Sequence, residues 1–292
     1  MTDPATDAVR DHYDRTTVFY RAFWGDHVHH GYWEDGDDGR SARAAQERLV
    51  ALLAERAGVG RGARVLDVGC GVGGSARWLA RHLGCRVDGI TLSPVQAEVG
   101  TAAAQREGLA DRVRLWVHDA RDLDALGTDY DAVWTVECSE HLEDKAAFVG
   151  AAARRLRPGG ALALCAWLRG DGEAEDAASG ADGLSAEGEA LVASVCEGML
   201  CPSLATMGEY EGWMQSAGFE GVRTWDLTPH VARTWDLCAA IARRPEVRAL
   251  LSVTDAQTRA FVGAFPAMQR AYAEGAMRYG MLVGRLPGPT GP

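Results

Sequence analysis

The sequence predicts an α/β fold in which helices cover both faces of a mostly parallel sheet. Segments with the apolar character of strands alternate with helical segments between residues 63 and 167. Strands that are joined by helices pair in parallel, because each crossover returns the chain to the same end of the sheet. The first predicted strand leads directly into a glycine-rich turn, Gly69-Cys-Gly-Val-Gly-Gly74. In open sheets of this class, ligands bind where such turns follow the strands.

Periodicity and stop signals place the individual elements. In the first half of the chain we expect a helix over 41–57, strands over 63–68, 86–91, 112–117, 131–136 and 161–167, and helices over 74–83, 94–107 and 144–157. Pro158-Gly-Gly160 ends the last of these helices, because proline and glycine interrupt helical hydrogen bonding. In the second half we expect helices over 187–199 and 207–217, a strand over 222–227, a long helical stretch over 234–275 and a last strand over 281–286.

Composition argues against several classes of function. The formal net charge is −11, whereas a protein that binds nucleic acid through its phosphates needs a basic surface. No segment approaches the roughly 18 apolar residues of a membrane span, and the start of the chain lacks the pattern of a signal peptide. The seven cysteines have no C-x-x-C spacing, which is typical of reduced thiols. We therefore expect a cytoplasmic protein without nucleic-acid or membrane partners, and the sequence does not predict its oligomeric state.

The glycine-rich turn predicts the binding of a nucleotide-like small molecule. Gly69 and Gly71 allow positive φ and remove the Cβ atoms that would hold a ligand away from the backbone. The helix that follows offers unpaired N–H groups at its start. Gly69, Gly71 and Gly74 also match the dinucleotide fingerprint, so NAD is an alternative ligand.

The residues around the turn favour S-adenosylmethionine over NAD. A dinucleotide site needs an acidic residue at the end of the second strand to bind the ribose. That position is Thr91, and Asp88 lies three residues too early, inside the strand. Asp67 precedes the turn, where a carboxylate can orient the glycines and lie near an amino-acid ammonium.

The loop after the fourth strand carries candidate catalytic residues. Glu137, Glu140 and His141 lie there, and we expect this loop to face the glycine turn, since the fourth strand neighbours the first in such sheets. A carboxylate beside an imidazole can hold its tautomer and raise its basicity, which suits a general base. Alternatively, Glu140 and His141 cap the next helix at a solvent edge.

Two polar residues are candidate ligands of a nucleoside. Asp119 ends the third strand and could accept a hydrogen bond from an adenine amino group, or it could cap a helix. Gln96 lies in the first turn after the second strand and could reach ribose hydroxyls. The segment His27-Val-His-His30 does not predict a metal site, because adjacent histidines on an irregular arm seldom converge on one ion.

Several motifs together resemble those of the class I S-adenosylmethionine-dependent methyltransferases, and within them the gamma-tocopherol C-methyltransferase-like group, which includes plant alkaloid N-methyltransferases. They are Tyr13-Asp14, Trp24–Tyr32, Val65–Ser75, Gly89–Gln96, Val136–His141, Asp144-Lys145, Arg157–Gly160 and Ala271–Tyr279. The resemblance covers nearly the whole chain. It implies a Rossmann-like sheet of seven strands, the last one antiparallel, with a helical lid.

The resemblance also implies roles for individual residues. Gly69 and Gly71 would lie against the methionine part of S-adenosylmethionine, and Asp67 would support their turn. The other implied cofactor contacts are Thr91, Leu92 and Gln96 at the ribose, Asp119 and Ala120 at the adenine, Glu137 at the edge of the site, and Tyr13, Tyr20 and Trp24 folded over it. Glu140 and His141 would act on the methyl acceptor and accept its proton.

We therefore expect a methyltransferase whose acceptor is a hydrophobic or polycyclic natural product, methylated at O, N or activated C. Residues 1–40 would form an aromatic arm, 41–167 the cofactor-binding core, 168–217 an acceptor-binding lid insertion with an acidic stretch over 171–189, and 218–292 the completion of the core. Trp33, Met199, Met207 and Tyr210 would contribute to the apolar acceptor pocket. An NAD-dependent oxidoreductase and a non-catalytic S-adenosylmethionine-binding protein are the alternatives.

Overall fold

The computed structural model describes residues 3–34, 39–172 and 183–288. The strands are β1 (Arg64–Val68), β2 (Arg86–Thr91), β3 (Val113–Val117), β4 (Tyr130–Val136), β5 (Leu156–Arg169), β6 (Glu220–Asp226) and β7 (Met277–Arg285). They form one seven-stranded sheet in the order β3-β2-β1-β4-β5-β7-β6, and β7 is antiparallel to both of its neighbours. The predicted α/β class and the implied antiparallel last strand are confirmed.

Twelve α-helices accompany the sheet in the described parts of the chain. They are α1 (Pro4–Phe23), α2 (Ala42–Ala57), α3 (Gly74–Leu83), α4 (Pro94–Arg106), α5 (Lys145–Arg155), α6 (Ala186–Met199), α7 (Met207–Ser216), α8 (Thr228–Val231), α9 (Arg233–Ala242), α10 (Pro245–Leu251), α11 (Ala256–Gly263) and α12 (Phe265–Ala273), with 3-10 turns at Ala120–Ala125 and Ser139–His141. Among the described residues, no helix is both long and apolar enough to cross a bilayer.

Two hydrophobic clusters hold the layers together, one on each face of the sheet. Successive residues of β1 point to opposite faces, so Val65 packs with α2 and α3 whereas Leu66 packs with α5 and α7. Strands with apolar residues on both faces are typical of a parallel sheet covered on both sides. The carboxyl ends of the parallel strands are left for the ligand site.

Four predicted elements differ from the structure. β5 begins at Leu156, five residues before the predicted 161, so Pro158-Gly-Gly160 lies inside the strand and the preceding helix already ends at Arg155. The arm, which we expected to be irregular, contains the long helix α1, which starts at Pro4 after the capping residue Asp3. The long helical stretch over 234–275 is four helices, because Pro245 and Pro266 lie in the first turns of α10 and α12, where a preceding helix cannot continue. The last strand begins at Met277, four residues earlier than the predicted 281.

The lid includes helices that we expected to complete the core. α6 packs against α11 and α12, and α1 packs against α4 and α11, so the segment 218–292 contributes β6 and β7 to the sheet but α9–α12 to the lid. Residues 173–182 of the predicted acidic stretch lie outside the described residues.

Three of the four expected pocket residues lie elsewhere. Tyr210 and Met207 belong to the hydrophobic cluster beneath the sheet, where the Tyr210 hydroxyl lies 2.7 Å from Ser139 Oγ. Trp33 is buried, and its indole N–H donates to the carbonyl of Arg40 at 3.2 Å. Their apolar character serves packing of the fold, and only Met199 borders a cavity of the site.

Core packing on β5 gives a prediction for stability. Leu164 is fully buried, whereas Leu250 of α10 is 41% exposed. We expect Leu164→Ala to lower the free energy of unfolding by about 2–5 kcal/mol, because it removes buried methyl groups and leaves a cavity. Leu250→Ala, the matched control, should lower the free energy of unfolding much less. Urea denaturation followed by circular dichroism measures both, and equal losses would contradict this account of the core.

Candidate active site

A cavity of about 770 Å³, which we call the large cavity, lies at the carboxyl ends of β1 to β4. Its volume is within the range of small-molecule sites, roughly 300–1,000 Å³. The sequence-predicted residues that border it are Tyr13, Gly69, Gly71, Thr91, Leu92, Gln96, Asp119, Ala120, Glu137 and His141. The strand order therefore gathers nine of the twelve expected cofactor residues around one space.

The glycine turn leaves room on the side of the large cavity. Gly69 and Gly71 have φ of +73° and +53°, in the region that favours glycine. A Cβ atom at Gly69 would overlap the side chain of Cys138, and a Cβ atom at Gly71 would have only Gln96 Nε2, 3.9 Å away, as a neighbour. The backbone at Gly71 is thus open to a ligand.

Gly74 has another function than the dinucleotide fingerprint suggests. A Cβ atom at this position would overlap the backbone carbonyl of Asp26 and lie 3.0 Å from His27 Nδ1. The N-terminal arm therefore lies directly on the start of α3. This glycine makes room for the chain itself and not for a pyrophosphate.

Asp67 is buried beneath the glycine turn without a complete set of partners. Its Oδ2 atom has no hydrogen-bond partner in the described ranges, and burial raises the pKa of the carboxyl to about 7. A cavity of about 30 Å³ adjoins Asp67, Gly69, Gly71 and Ser75. An unpaired buried carboxyl next to open backbone fits the ammonium of S-adenosylmethionine.

A hydrogen bond between Thr91 and Gln96 orients the two polar side chains expected at the ribose. The Thr91 hydroxyl donates to Gln96 Oε1 at 2.7 Å. This contact leaves the Gln96 amide nitrogen on the side of Gly71, where its N–H groups can donate to ribose hydroxyls. Leu92 forms part of the wall beside them.

Asp119 borders the large cavity but also has a structural role. It caps the 3-10 turn that begins at Ala120, accepting the N–H of Arg121 at 2.9 Å. Burial opposes ionisation, but the hydrogen bonds from Arg121 hold the pKa of Asp119 below its usual range. The capping interpretation is confirmed, and contact with adenine stays a prediction.

Glu137 connects the arm to the sheet. It follows β4 with a φ of +54°, and its Oε1 atom accepts the His30 N–H at 2.7 Å, His30 Nδ1 at 3.0 Å and the Tyr279 hydroxyl at 2.8 Å. Burial alone would raise the pKa of Glu137, but the His30 imidazole and N–H hold it below its usual range. Glu137 is therefore a stabilised anion at the edge of the site.

His141 is held as a neutral base that faces Tyr13. Its Nδ1 atom lies 3.1 Å from the carbonyl of Leu200, which can only accept, so Nδ1 carries the proton. Nε2 then accepts a hydrogen bond from the Tyr13 hydroxyl at 3.0 Å. Burial lowers the pKa of His141 and raises the pKa of Tyr13 above its usual range, so both are neutral near pH 7.

The expected pairing of Glu140 with His141 is wrong. Glu140 Oε1 accepts the backbone N–H of Trp167 at 2.6 Å, and the tautomer of His141 is set by Leu200 instead. Burial raises the pKa of Glu140 to about 8, which disfavours a base at neutral pH. The capping alternative also fails, since Asp144 caps α5.

A second cavity of about 100 Å³, the aromatic chamber, adjoins the large cavity. Tyr13, Val28, Glu137 and His141 border both spaces. Tyr20 and Trp24, expected over the cofactor, border the chamber and not the large cavity. Its other walls include His12, Phe19 and Phe23 of the predicted aromatic arm, and Trp167, Trp235, Phe261 and Phe265, which the sequence did not predict. The four-residue spacing of Phe19 and Phe23 could have predicted that both rings lie on one face of a helix. The remaining rings come from segments that are distant in the sequence, so no local pattern predicts them.

The glycine turn predicts a matched pair of substitutions. Gly71 and Gly221 have similar φ, +53° and +56°, and a Cβ atom at Gly221 meets nothing within 4 Å. Each change to alanine costs roughly 1–2 kcal/mol of stability, because the left-handed conformation is strained for alanine. Only Gly71→Ala should weaken S-adenosylmethionine binding, on the order of tenfold or more, as calorimetry would measure. Equal affinities in both variants would contradict this assignment of the turn.

The burial of His12 predicts that the free energy of unfolding falls in acid. Burial, with a smaller contribution from His141, lowers the pKa of His12 from its usual 6.5 to about 4. Between these values the unfolded chain binds a proton that the folded chain does not, so the free energy of unfolding falls as pH decreases from 6.5 towards 4. His12→Phe should flatten this slope, whereas a change at exposed His82 should not. Urea denaturation at several pH values measures the slope of the free energy of unfolding against pH. An unchanged slope in His12→Phe would contradict this effect of His12 burial.

Comparison with known proteins gives the family. Residues 1–263 match the family model described as mycolic acid cyclopropane synthetase. The probable tocopherol O-methyltransferase, chloroplastic, of Oryza sativa subsp. japonica is 34% identical over 227 residues, which span 75% of this chain but only 61% of that protein. The 27-O-demethylrifamycin SV methyltransferase of Amycolatopsis mediterranei (strain S699) is 30% identical over 287 residues, which span 98% of this chain and 100% of that protein.

Solved structures confirm the fold. The cyclopropane synthase MmaA2 from Mycobacterium tuberculosis superposes with a TM-score of 0.82 at 20% identity, covering 97% of this chain and 98% of that chain. The expected resemblance and the expected cofactor are both borne out by these matches, and nothing among them favours an NAD-dependent enzyme. The chain belongs to the mycolic acid cyclopropane synthetase family and is an S-adenosylmethionine-dependent methyltransferase.

Proposed function

We propose that this enzyme methylates a hydroxyl group of a hydrophobic, ring-containing small molecule. The observation that carries the proposal is the Tyr13–His141 pair, which lies where the large cavity meets the aromatic chamber. A methyl donor in the first space and an acceptor in the second would meet beside a neutral imidazole. The names of the rice and Amycolatopsis relatives, which refer to tocopherol and to a demethylrifamycin, support an acceptor of this class.

S-adenosylmethionine, when bound, supplies an electrophilic methyl group to the acceptor. Asp67, Gly69 and Gly71 would hold its methionine part, and Gln96 would hold its ribose. Their fit is supported by the unpaired Oδ2 of Asp67 and by the open backbone at Gly71. The main task of these residues is to position the two reactants, which removes much of the entropic barrier.

His141 and Tyr13 would remove the proton that the acceptor loses. The Tyr13 hydroxyl donates to His141 Nε2, and its oxygen can accept a hydrogen bond from the acceptor hydroxyl. When the acceptor oxygen gains the methyl group, the sulfur–methyl bond of the donor would break and leave its electron pair on sulfur. The acceptor proton would move to Tyr13, and the Tyr13 proton would move to Nε2. The Leu200 carbonyl continues to accept from Nδ1, which stabilises the imidazolium that forms.

The aromatic chamber supports a neutral, apolar acceptor. Aromatic side chains form most of its walls, and no lysine or arginine borders it among the described residues. A diphosphate would lack cationic partners there. A cationic amine would need an ionised carboxylate, but Oε1 of Glu137 already accepts three hydrogen bonds, and burial raises the pKa of Glu140, the other carboxyl of the chamber, to about 8. A phenol or another ring-borne hydroxyl fits these surroundings best.

We also propose that the protein is cytoplasmic and acts without a nucleic-acid partner. The seven cysteines are free thiols, which supports a reducing compartment. The net charge of −11 supports a small-molecule partner over a polyanion.

Transfer of a labelled methyl group tests the proposed reaction. Phenols, sugar hydroxyls, amines and prenylated or indole-like compounds serve as acceptors, and we expect label in ring hydroxyls. His141→Ala should lower kcat by roughly 10²–10⁴, because the proton acceptor is lost. Affinity for S-adenosylmethionine should stay within a few fold, and exposed His82→Ala is the matched control. Full turnover by His141→Ala, or label only in amines, would contradict the proposal.

A further inference from the structure

Glu140 is a buried acid that the proposed proton transfer does not use. Its side chain is almost completely buried, with 1% of the residue exposed. Oε1 accepts the Trp167 N–H, but Oε2 is buried and has no hydrogen-bond partner in the part of the chain that the structure describes. The residue borders the aromatic chamber and not the large cavity. Glu140 is therefore a wall residue of the chamber with one carboxyl oxygen that no described protein group satisfies.

The surroundings of Glu140 do not support a negative charge. Among the described residues it takes part in no ion pair. The charge of Lys145, the chain's only lysine, lowers the pKa of Glu140, but burial outweighs it, and the Lys145 ammonium donates to the Leu142 carbonyl at 2.7 Å. Both nitrogens of His141 are engaged elsewhere. Glu137, three residues earlier, is already an anion held by His30 and Tyr279. Two neighbouring buried carboxylates repel each other, so the one without donors takes up a proton.

Proton uptake turns Glu140 into a hydrogen-bond donor. A protonated carboxyl has one O–H group, and Trp167 already occupies Oε1 as a donor, so the proton belongs on Oε2. The elevated pKa that burial produces, about 8, agrees with this protonation state. An O–H group with no acceptor in the protein needs one from a ligand, since a buried unpaired donor is costly.

We propose that Glu140 is a specificity-determining residue whose Oε2–H donates to a carbonyl oxygen that the methyl acceptor carries beside its reacting hydroxyl. The inference rests on the proposed function, because it assumes that the hydroxyl lies at Tyr13 and His141. Glu140 and His141 both border the aromatic chamber, so one ligand there can contact both residues. The acceptors chosen are therefore hydroxyketones, hydroxyquinones or hydroxyesters. A plain phenol or alcohol leaves the donor unpaired and is methylated less efficiently.

A pair of similar bicyclic probes tests this assignment. 1-Hydroxy-2-acetonaphthone has a carbonyl next to its hydroxyl, and 2-ethyl-1-naphthol has the same shape without it. We expect the enzyme to favour the ketone in kcat/KM by roughly tenfold or more, the size of one lost hydrogen bond. Glu140→Gln keeps an acceptor for Trp167 and places an amide N–H at the position of Oε2, so it should retain the preference. Glu140→Met, which has no donor, should lose it.

The pH dependence of kcat/KM shows whether Glu140 donates a hydrogen bond or acts as a base. For the ketone probe, kcat/KM of the wild type should fall above about pH 8, as Glu140 loses its proton, and Glu140→Gln should lack this fall. Exposed Glu220→Gln is the matched control and should behave as the wild type. If Glu140→Gln loses activity by the factor seen for His141→Ala, Glu140 is a base and the proposal is wrong. Equal use of both probes by the wild type would overturn it as well.

A measurement that needs no turnover tests the protonation of Glu140 even if the proposed function fails. Infrared difference spectra of wild type against Glu140→Gln, both with S-adenosylhomocysteine at pH 6, should show the C=O band of a protonated carboxylic acid. If no hydroxyl compound is methylated, the proposed function fails, and the band still reports on Glu140. If the band is absent, Glu140 is ionised and this inference fails, whatever the enzyme methylates.

Discussion

One buried carboxylate, that of Glu137, joins the parts of the molecule that enclose the site. It lies at the end of β4 and accepts hydrogen bonds from His30 of the arm and from Tyr279 of β7. A buried anion is stable only with such donors, so the arm must dock for the charge to be satisfied. The docked arm in turn brings Tyr13 to His141 and Asp14 to Ser93. The wall of the large cavity and the Tyr13–His141 contact thus depend on the same docked arm.

Two glutamates of one loop differ because their surroundings differ. Glu137 has three donors on one oxygen and remains ionised, whereas Glu140 has a single backbone donor and a second oxygen without a partner. Burial acts on both in the same direction, so the interaction with the His30 imidazole, together with hydrogen bonding, decides which of them keeps its charge. The pair therefore gives the site one fixed anion and one neutral acid, next to the neutral imidazole of His141.

Much of the core followed from local patterns. The order of strands and helices from β1 to β5, the glycine turn and the loop carrying Glu137 and His141 were all predicted, because apolar periodicity and turn residues are local properties. The strand-end rule for parallel sheets then placed Thr91 and Asp119 at the large cavity. The lid was predicted less well, since the breaks in the stretch over 234–275 and the core position of Tyr210 depend on what each helix packs against.

The fold class, the cofactor and the position of the large cavity at the strand ends were thus determined by short-range sequence features, in which residue type, spacing and strand ends carry the information. Contacts between distant segments decided the rest. Trp235 and Phe261 meet the arm only in the folded chain, and Gly74 is needed because Asp26 packs on it. The Leu200 carbonyl, 59 residues along the chain from His141, sets which ring nitrogen is the base. Protonation states and pocket walls depend on three-dimensional neighbours, and no local pattern encodes those.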